Sequence, residues 1–224
     1  MKVIITAGPT REHLDPVRFL SNPSTGKMGF AIAAEAAKRG HDVTLIAGPV
    51  ALKTPARVRR VDVTSARDML AAVKRSVGRA GPARRSRIVF ISTAAVADWR
   101  PATCAAKKLK KSQMSGTLKL VRNPDILKTI SGLRRGRRPR PAADELFLVG
   151  FAAETNDVLS EAARKCREKG LSFIVANDVT KRGCGFGTDT NKVTFVFPDG
   201  TQKKFPLMTK RAVAKRILDE VSRL

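Results

Sequence analysis

Residues 27–47 read KMGFAIAAEAAKRGHDVTLIA. The Ala-rich part, Lys27–Arg39, favours a helix, and Gly40 suits its C-terminal stop because glycine enters left-handed backbone without strain. Asp42–Ala47 then reads as a strand, and upstream the short apolar run Val3–Ala7 reads as another. Strand, helix and strand in that order make a βαβ unit, the building block of a parallel sheet.

The alternation continues downstream. Arg57–Val63 is a third strand, and Ser65–Arg75 a helix capped by Ser65 or Thr64, with Asp68 in its first turn. Ile88–Thr93 reads as a buried strand from its continuous apolar run. A helix starts behind Asn123 and runs to Leu133, with Pro124 at its first position. Leu146–Ala152 and Ser172–Ala176 are further strands, separated by the amphipathic helix Asn156–Lys169, which Gly170 stops. Lys192–Phe197 and Gln202–Phe205 flank the turn signal Asp199-Gly200 and make a hairpin. Thr209–Leu224 closes the chain as a helix with Ala212, Ile217, Leu218 and Val221 on its apolar side. The expected fold class is α/β: one domain over residues 1–224, with a doubly wound, mostly parallel Rossmann-like sheet, helices on both faces and an added antiparallel hairpin.

The charge narrows the partners. Lys plus Arg number 44 against 19 Asp plus Glu, a net charge of +25, which calls for anions such as phosphorylated small molecules. No apolar run approaches the roughly 18 residues that cross a bilayer, so no membrane association is expected. Three cysteines and two histidines are too few for a disulfide framework or a metal cluster, and a reducing cytoplasm is the expected setting.

Three stretches carry candidate chemistry. Asn22-Pro23-Ser24-Thr25-Gly26-Lys27-Met28-Gly29 leads into the first helix. Its small residues let backbone approach an anion, and the helix N-terminus presents N–H groups and a positive dipole end. It lacks the glycine spacing of a P-loop and of the dinucleotide fingerprint. Ser92-Thr93-Ala94-Ala95-Val96-Ala97-Asp98 follows the central strand, where open α/β sheets bind ligands. Asp98 could accept from a ribose or reach a magnesium-bound phosphate; a helix cap or a salt bridge to Arg100 fits the residues equally. Lys107–Lys111 lies in a long irregular loop that could close over a triphosphate, although a charge run is more often a solvated face. Lys165 and Lys169 share one helix face, which also fits an exposed surface paired with Glu161 and Glu168. Gly183-Cys184-Gly185-Phe186-Gly187 has the flexibility of a lid, and the very basic stretch Arg134–Arg140 reads as a solvated connection.

In order along the chain, ITAGPTRE, DPVRFLSNPSTGKMG, TAAVADWRP, the lysine run Lys108–Lys111, NPDIL, VGFAAET and VANDV resemble phosphopantothenoylcysteine synthetase, a phosphopantothenate–cysteine ligase of coenzyme A biosynthesis. The resemblance covers nearly the whole chain and implies a stand-alone bacterial-type synthetase, or a domain excised from a fusion with a decarboxylase. It implies that the carboxylate of 4′-phosphopantothenate attacks the α-phosphate of CTP, with Mg2+ on the triphosphate. The amine of L-cysteine then displaces CMP from the acyl-cytidylate. It further implies catalytic roles for Asn22 at the acyl intermediate, Lys108 on a flap, and Arg18 reaching into the partner of a homodimer. Ala94, Ala95 and Asp98 would join Arg18 and Asn22 around the substrate. Gly8, Ser24, Gly26, Gly29, Ser92, Thr93, Ala94, Asp98, Lys108, Pro124, Asp125, Ile126, Leu127, Phe151, Lys165, Lys169 and Asn177 would surround the nucleotide. No protein metal ligand is implied. The hairpin over Lys192–Phe205, with its uncovered edge, is the expected interface material. Trp99 stands where the family pattern has Tyr, and Thr25 where it has Ser.

Two other function classes fit less well. A nucleic-acid-binding protein would use aromatic platforms, yet the chain has no Tyr and one Trp, so nucleic acid is not an expected partner. A nicotinamide-dependent reductase would need the glycine fingerprint and an acidic residue after the second strand, where Ala47-Gly48-Pro49 stands instead.

Overall fold

The unit around residues 27–47 forms where the sequence puts it. In the computed structural model, β1 (Lys2–Ala7) pairs in parallel with β4 (Asp42–Ala47), and α1 (Lys27–Lys38) crosses between them. The described residues are 1–78, 87–110, 116–135, 145–154, 157–178, 180 and 183–224; the side chains of Arg134, Arg135, Glu154 and Asp178 also lie outside the description. Between β1 and α1 stands a small ribbon, β2 (Arg11–His13) against β3 (Phe19–Ser21). Then come β5 (Val58–Asp62), α2 (Ala66–Gly78), β6 (Ile88–Ser92), β7 (Trp99–Pro101) and β8 (Leu120–Arg122). They are followed by α3 (Ile126–Arg135), β9 (Leu146–Glu154), α4 (Val158–Glu168) and β10 (Phe173–Asp178). The chain ends with β11 (Thr190–Asn191), β12 (Val193–Val196), β13 (Gln202–Lys204), β14 (Met208–Thr209) and α5 (Lys210–Val221).

The main sheet has eight strands in the order β13-β12-β10-β9-β6-β1-β4-β5. The six from β10 to β5 run parallel, and β12 and β13 add the antiparallel hairpin. The fold class read from the sequence is therefore the observed one. The chain moves one way from β1 through β4 to β5, then returns to the other side of β1 with β6. That reversal puts a topological switch point between the tips of β1 and β6, where a doubly wound sheet opens a crevice.

Each face of the sheet has its own core. Phe30, Ile32 and Ala33 of α1 and Val213, Ile217 and Val221 of α5 pack with Val3, Ile5 and Val89. On the opposite face Met69 and Val73 of α2, Ile130 of α3 and Ala162 of α4 pack with Ile4, Phe90 and Leu148. Alternate residues of β1 thus serve both cores, which is why the strand is apolar throughout. Gly29 lets α1 sit close: a Cβ there would stand 2.5 Å from Ala7 Cβ and 2.6 Å from Thr93 Oγ1.

One boundary moves inward. The helix expected behind Asn123 begins at Ile126, and Asp125 caps it by accepting from Lys128 N at 2.9 Å. Asn123 instead donates from Nδ2 to the Ala97 carbonyl at 2.8 Å, and its own N–H bonds the Asp98 carbonyl at 2.7 Å. Both residues are good caps; the tertiary bond to the 97–98 loop decides between them. The connections 8–26 and 94–116 hold the short strands β2, β3 and β7, which the sequence reading does not include. Three-residue strands leave no apolar run to read. Lys111 and residues 136–140 of the basic stretch lie outside the described residues.

Candidate active site at the strand tips

α1 begins at Gly26, whose left-handed φ of 78° makes the turn, and no side chain caps the helix. Its first N–H groups therefore face the crevice rather than an internal acceptor. Around them is a cleft of about 400 Å³, lined by Ser24–Gly29, Thr93–Val96, Asp98, Phe151–Ala153, Lys165, Asn177, Gly185, Phe186, Asn191 and Lys210. The loop after β6 is tied to the β1 tip. Thr93 Oγ1 donates to the Thr6 carbonyl at 2.6 Å, Ala95 N to the Gly8 carbonyl at 3.0 Å, and Ala97 N to Thr10 Oγ1 at 3.0 Å.

Of the residues expected from the sequence, Ser24, Gly26, Gly29, Thr93, Ala94, Ala95, Asp98, Phe151, Lys165 and Asn177 line this cleft together. Others stand just outside it. Asn22 hangs from its edge, with Nδ2 donating to the Ala95 carbonyl at 3.1 Å. Gly8 and Ser92 lie beneath the lining loops. Ile126 and Leu127 bury their side chains in the core, leaving only backbone for a ligand. Asp125 pairs with Lys169 at 2.7 Å. Burial alone would raise the Asp125 pKa; the Lys128 N–H and Lys169 more than offset it and hold the carboxyl below its ordinary value. The α4 helix therefore splits its charges. Arg164 takes both Glu161 and Glu168 at 2.7 Å, Lys169 takes Asp125, and Lys165 reaches the cleft. Arg100 donates to the Arg122 carbonyl and to Asn123 Oδ1 at 3.1 Å, an arrangement that leaves Asp98 facing the cleft.

Arg18 and Lys108 lie apart from the cleft but beside each other, and Asp15 is the reason. The Asp15 carboxylate accepts from Val17 N at 2.9 Å, Arg18 N at 2.8 Å, the Arg18 guanidinium, and Leu109 N at 3.2 Å. Arg18 in turn donates to the Leu109 carbonyl at 2.9 Å, and Ala105 N bonds the Leu14 carbonyl at 2.8 Å. Arg18 is the main cause that holds the Asp15 carboxyl well below the usual carboxylate range, and burial opposes it. The exposed Lys107 and Lys108 thus project from a segment pinned at both ends.

No group of three or more His, Cys, Asp or Glu among the described residues could hold a metal ion. A magnesium ion carried in on phosphates would keep several of its waters, and Asp98 is the carboxylate in the described lining that could reach it. The thiol of Cys166 is pushed up to about 11 by burial, so it is protonated and inert at neutral pH.

The family model described as the DNA/pantothenate metabolism flavoprotein C-terminal domain matches residues 1–224. The chain belongs to this family. One relative in it, the coenzyme A biosynthesis bifunctional protein CoaBC of Escherichia coli strain K12, is 47% identical over 224 residues, covering 99% of this chain and 51% of the relative. The chain thus spans about half the length of the curated relatives it matches. A crystal structure of the C-terminal domain of a CoaBC protein superposes with a TM-score of 0.77 at 41% identity, covering 98% of this chain and 93% of that one. A Cab2 variant in complex with phosphopantothenate-cysteine shares the fold, with a TM-score of 0.73 at 15% identity over 99% of this chain and 86% of that one. The resemblance drawn from the ordered motifs is borne out as family membership.

Within this flavoprotein C-terminal-domain chain, sequence reasoning gave Gly183–Gly187 the flexibility of a lid but missed that residues 185–191 are a wall held by bonds to distant residues. Thr25 Oγ1 donates to the Phe186 carbonyl at 2.7 Å, and Lys27 Nζ to the Gly187 carbonyl at 3.1 Å and Asp189 Oδ1 at 2.7 Å. Lys210 opens α5 and is 7% exposed; its ammonium gathers the carbonyls of Gly185, Phe186 and Thr188. Burial first, and repulsion from Lys27 second, lower its pKa, with Asp189 opposing. The glycine run signalled a loop, but its partners lie about 160 residues away in Thr25 and Lys27 and in a later helix.

Proposed function

We propose that this chain ligates 4′-phosphopantothenate to L-cysteine through an acyl-cytidylate, with CTP and Mg2+ as co-substrate and counter-ion, in coenzyme A biosynthesis. One observation carries the reading. The uncapped N-terminus of α1 opens into a cleft that Lys165 also lines, in a chain 47% identical over 224 residues to CoaBC, of whose length it spans about half. Helix N–H groups and an ammonium group together suit a triphosphate.

In the first half-reaction the carboxylate oxygen of phosphopantothenate attacks the α-phosphorus, and the bond to pyrophosphate breaks. Negative charge on the departing phosphates is what Lys108 and Lys165 would offset. In the second, the amine of cysteine attacks the acyl carbon, an amide forms, CMP leaves and a proton passes to solvent. The acyl oxygen gains charge at that moment, and the Asn22 amide is the neutral donor at the edge of the cleft. Backbone groups around Pro124–Leu127 and Phe151 would read the edge of cytosine, so CTP is preferred over ATP. No enzyme nucleophile is needed, in keeping with the inert Cys166.

A homodimer completes the reading, with Arg18 acting on the partner's substrate. Its covering face is better placed on the two small ribbons than on the β12–β13 hairpin. Val17, Phe19, Trp99, Leu118 and Leu120 are exposed on or beside those ribbons. The hairpin instead turns Phe195 and Phe205 onto each other with ring centroids 4.7 Å apart. The test is incubation with phosphopantothenate, cysteine, magnesium and either CTP or ATP, with pyrophosphate and the ligated product measured. Product with CTP at the higher kcat/KM supports the reading; no product with either nucleotide refutes it.

A further inference from the structure

Asn177 and Asn191 are 8% and 5% exposed, both line the cleft, and the side-chain oxygen of each has no hydrogen-bond partner among the described residues. Two orphaned acceptors in one wall are unusual, because a buried polar atom without a partner is costly. The chain brings them close: Asn177 of β10 stands opposite Val193 of β12, and Asn191 ends β11 two residues before Val193. Both line one cleft, within reach of a common ligand.

The wall carrying Asn191 is fixed in advance. β11 pairs with β14, Asn191 opposite Met208, immediately before α5. Thr190 Oγ1 donates to the Gly183 carbonyl at 2.7 Å, Thr188 Oγ1 to the Thr190 carbonyl at 3.0 Å, and Lys210 N to the Asp189 carbonyl at 2.9 Å. The Lys210 ammonium closes the loop from inside through its three carbonyl acceptors.

An amide oxygen can only accept, and a phosphate at neutral pH offers mostly acceptors, so the pair does not suit the phosphates. The phosphates have the α1 terminus and Lys165. The base-reading backbone at Ile126 and Leu127 adjoins the core of α2, α3 and α4, whereas β11 adjoins α5 on the opposite face of the sheet. Between phosphate and base lies the sugar, whose hydroxyls are neutral donors. Resting on the nucleotide-dependent ligase reading above, we infer that Asn191, beside Asn177, accepts a hydrogen bond from a ribose hydroxyl of the bound nucleotide, and that Lys210 is the residue that positions this wall.

Calorimetric titration of the full chain with magnesium and CTP, 2′-deoxy-CTP, 3′-deoxy-CTP or UTP tests it. Wild type should bind CTP about tenfold more tightly than one of the two deoxy analogues, the worth of one hydrogen bond. Asn191→Ala should bind CTP and that analogue equally, at the weaker affinity. Asn191→Leu, near in volume and without an acceptor, reads the same ratio should the alanine variant not fold. Asn191→Asp keeps an acceptor and should keep the ratio. Lys210→Met, by loosening the wall that carries Asn191, should shrink that ratio toward one, and an unchanged ratio in this variant would overturn the positioning role. A ratio unchanged in both acceptor-less variants overturns the inference, as does a loss confined to the CTP-to-UTP difference, which would assign Asn191 to the base. Failure of wild type to bind CTP or ATP at all would sink the ligase reading itself, a different result from either.

Discussion

The floor of the cleft and its rim are built in opposite ways. The floor is contiguous sequence: Ser24–Gly29 runs into α1, and residues 92–98 leave the tip of β6. Short-range geometry fixes both, through a left-handed Gly26 and the small residues that let α1 approach β1. The rim is two loops held by partners far along the chain, one forming a wall of the cleft and the other standing apart from it. Residues 105–109 hang on Asp15 and Arg18, and residues 185–189 hang on Thr25, Lys27 and Lys210. A pocket can thus take its shape from local motifs and its walls from single long-range hydrogen bonds. The two parts should fail differently when altered: floor substitutions should cost stability, and substitutions of exposed rim side chains should cost activity.

The largest expected effect is at Asp15. Asp15→Asn removes the charge that orders the Arg18 guanidinium and weakens the hold on Leu109. A catalytic group displaced by even 1 Å can lose activity on the order of 100-fold, and kcat/KM should fall by about that much. The thermal midpoint should fall as well, because Asp15 is fully buried and its ionised form is bound by Arg18, Val17 and Leu109, and proteolysis within residues 105–110 should quicken. Because the folded pKa of Asp15 lies below its ordinary 3.8, the ion pair is complete above that pH and is lost as acid approaches the folded value. In wild type, protease sensitivity of the segment should therefore rise only in strong acid.

Gly29→Ala is the matching alteration of the floor. The added methyl meets Ala7 and Thr93, both fixed by the sheet, so stability should fall by about 1–3 kcal/mol in urea titrations. Lys108→Gln, on the exposed rim, should leave the same titration within about 0.5 kcal/mol of wild type.

This split also sets what could be read without coordinates. The six parallel strands, the hairpin and the five helices were legible because apolar runs and caps are local signals. That Ser24–Gly29 and the 93–98 loop come together at the strand tips was legible for the same reason. Asp15 gave no signal, since its partners at 109 become visible only in three dimensions. Lys210 reads as the first residue of an amphipathic helix, and nothing local says that its ammonium turns inward. Asn123 was mistaken for a cap because its bond to Ala97 is tertiary. The ribbons β2–β3 and β7–β8 are too short for periodicity to register.

Smaller effects sharpen the comparison. Thr25→Val deletes the hydroxyl bond from the floor to Phe186 and should cost about 1 kcal/mol of stability, with a rise in KM for the nucleotide and little change in kcat. His41 lies far from the cleft. Burial first, then the charges of Met1 and Arg39, lower its pKa. The folded state therefore binds a proton less readily than the unfolded chain, and stability should decline slightly as pH falls below 6.5, the ordinary value. His41→Gln should flatten that slope in urea midpoints, with activity unchanged.

The most direct test of the two-step account is a single-turnover quench with labelled phosphopantothenate, comparing Asn22 at the edge of the cleft with Lys108 on the outer loop. Asn22→Asp turns a donor into an acceptor, and losing such a donor costs roughly 2.7–4 kcal/mol in a transition state. This variant should release pyrophosphate, accumulate the acyl-cytidylate and nearly stop ligating cysteine. If Lys108 meets the triphosphate as proposed, Lys108→Gln should fail at activation and build up no intermediate. Accumulation of intermediate by Lys108→Gln, or cysteine ligation at the normal rate by Asn22→Asp, would contradict it.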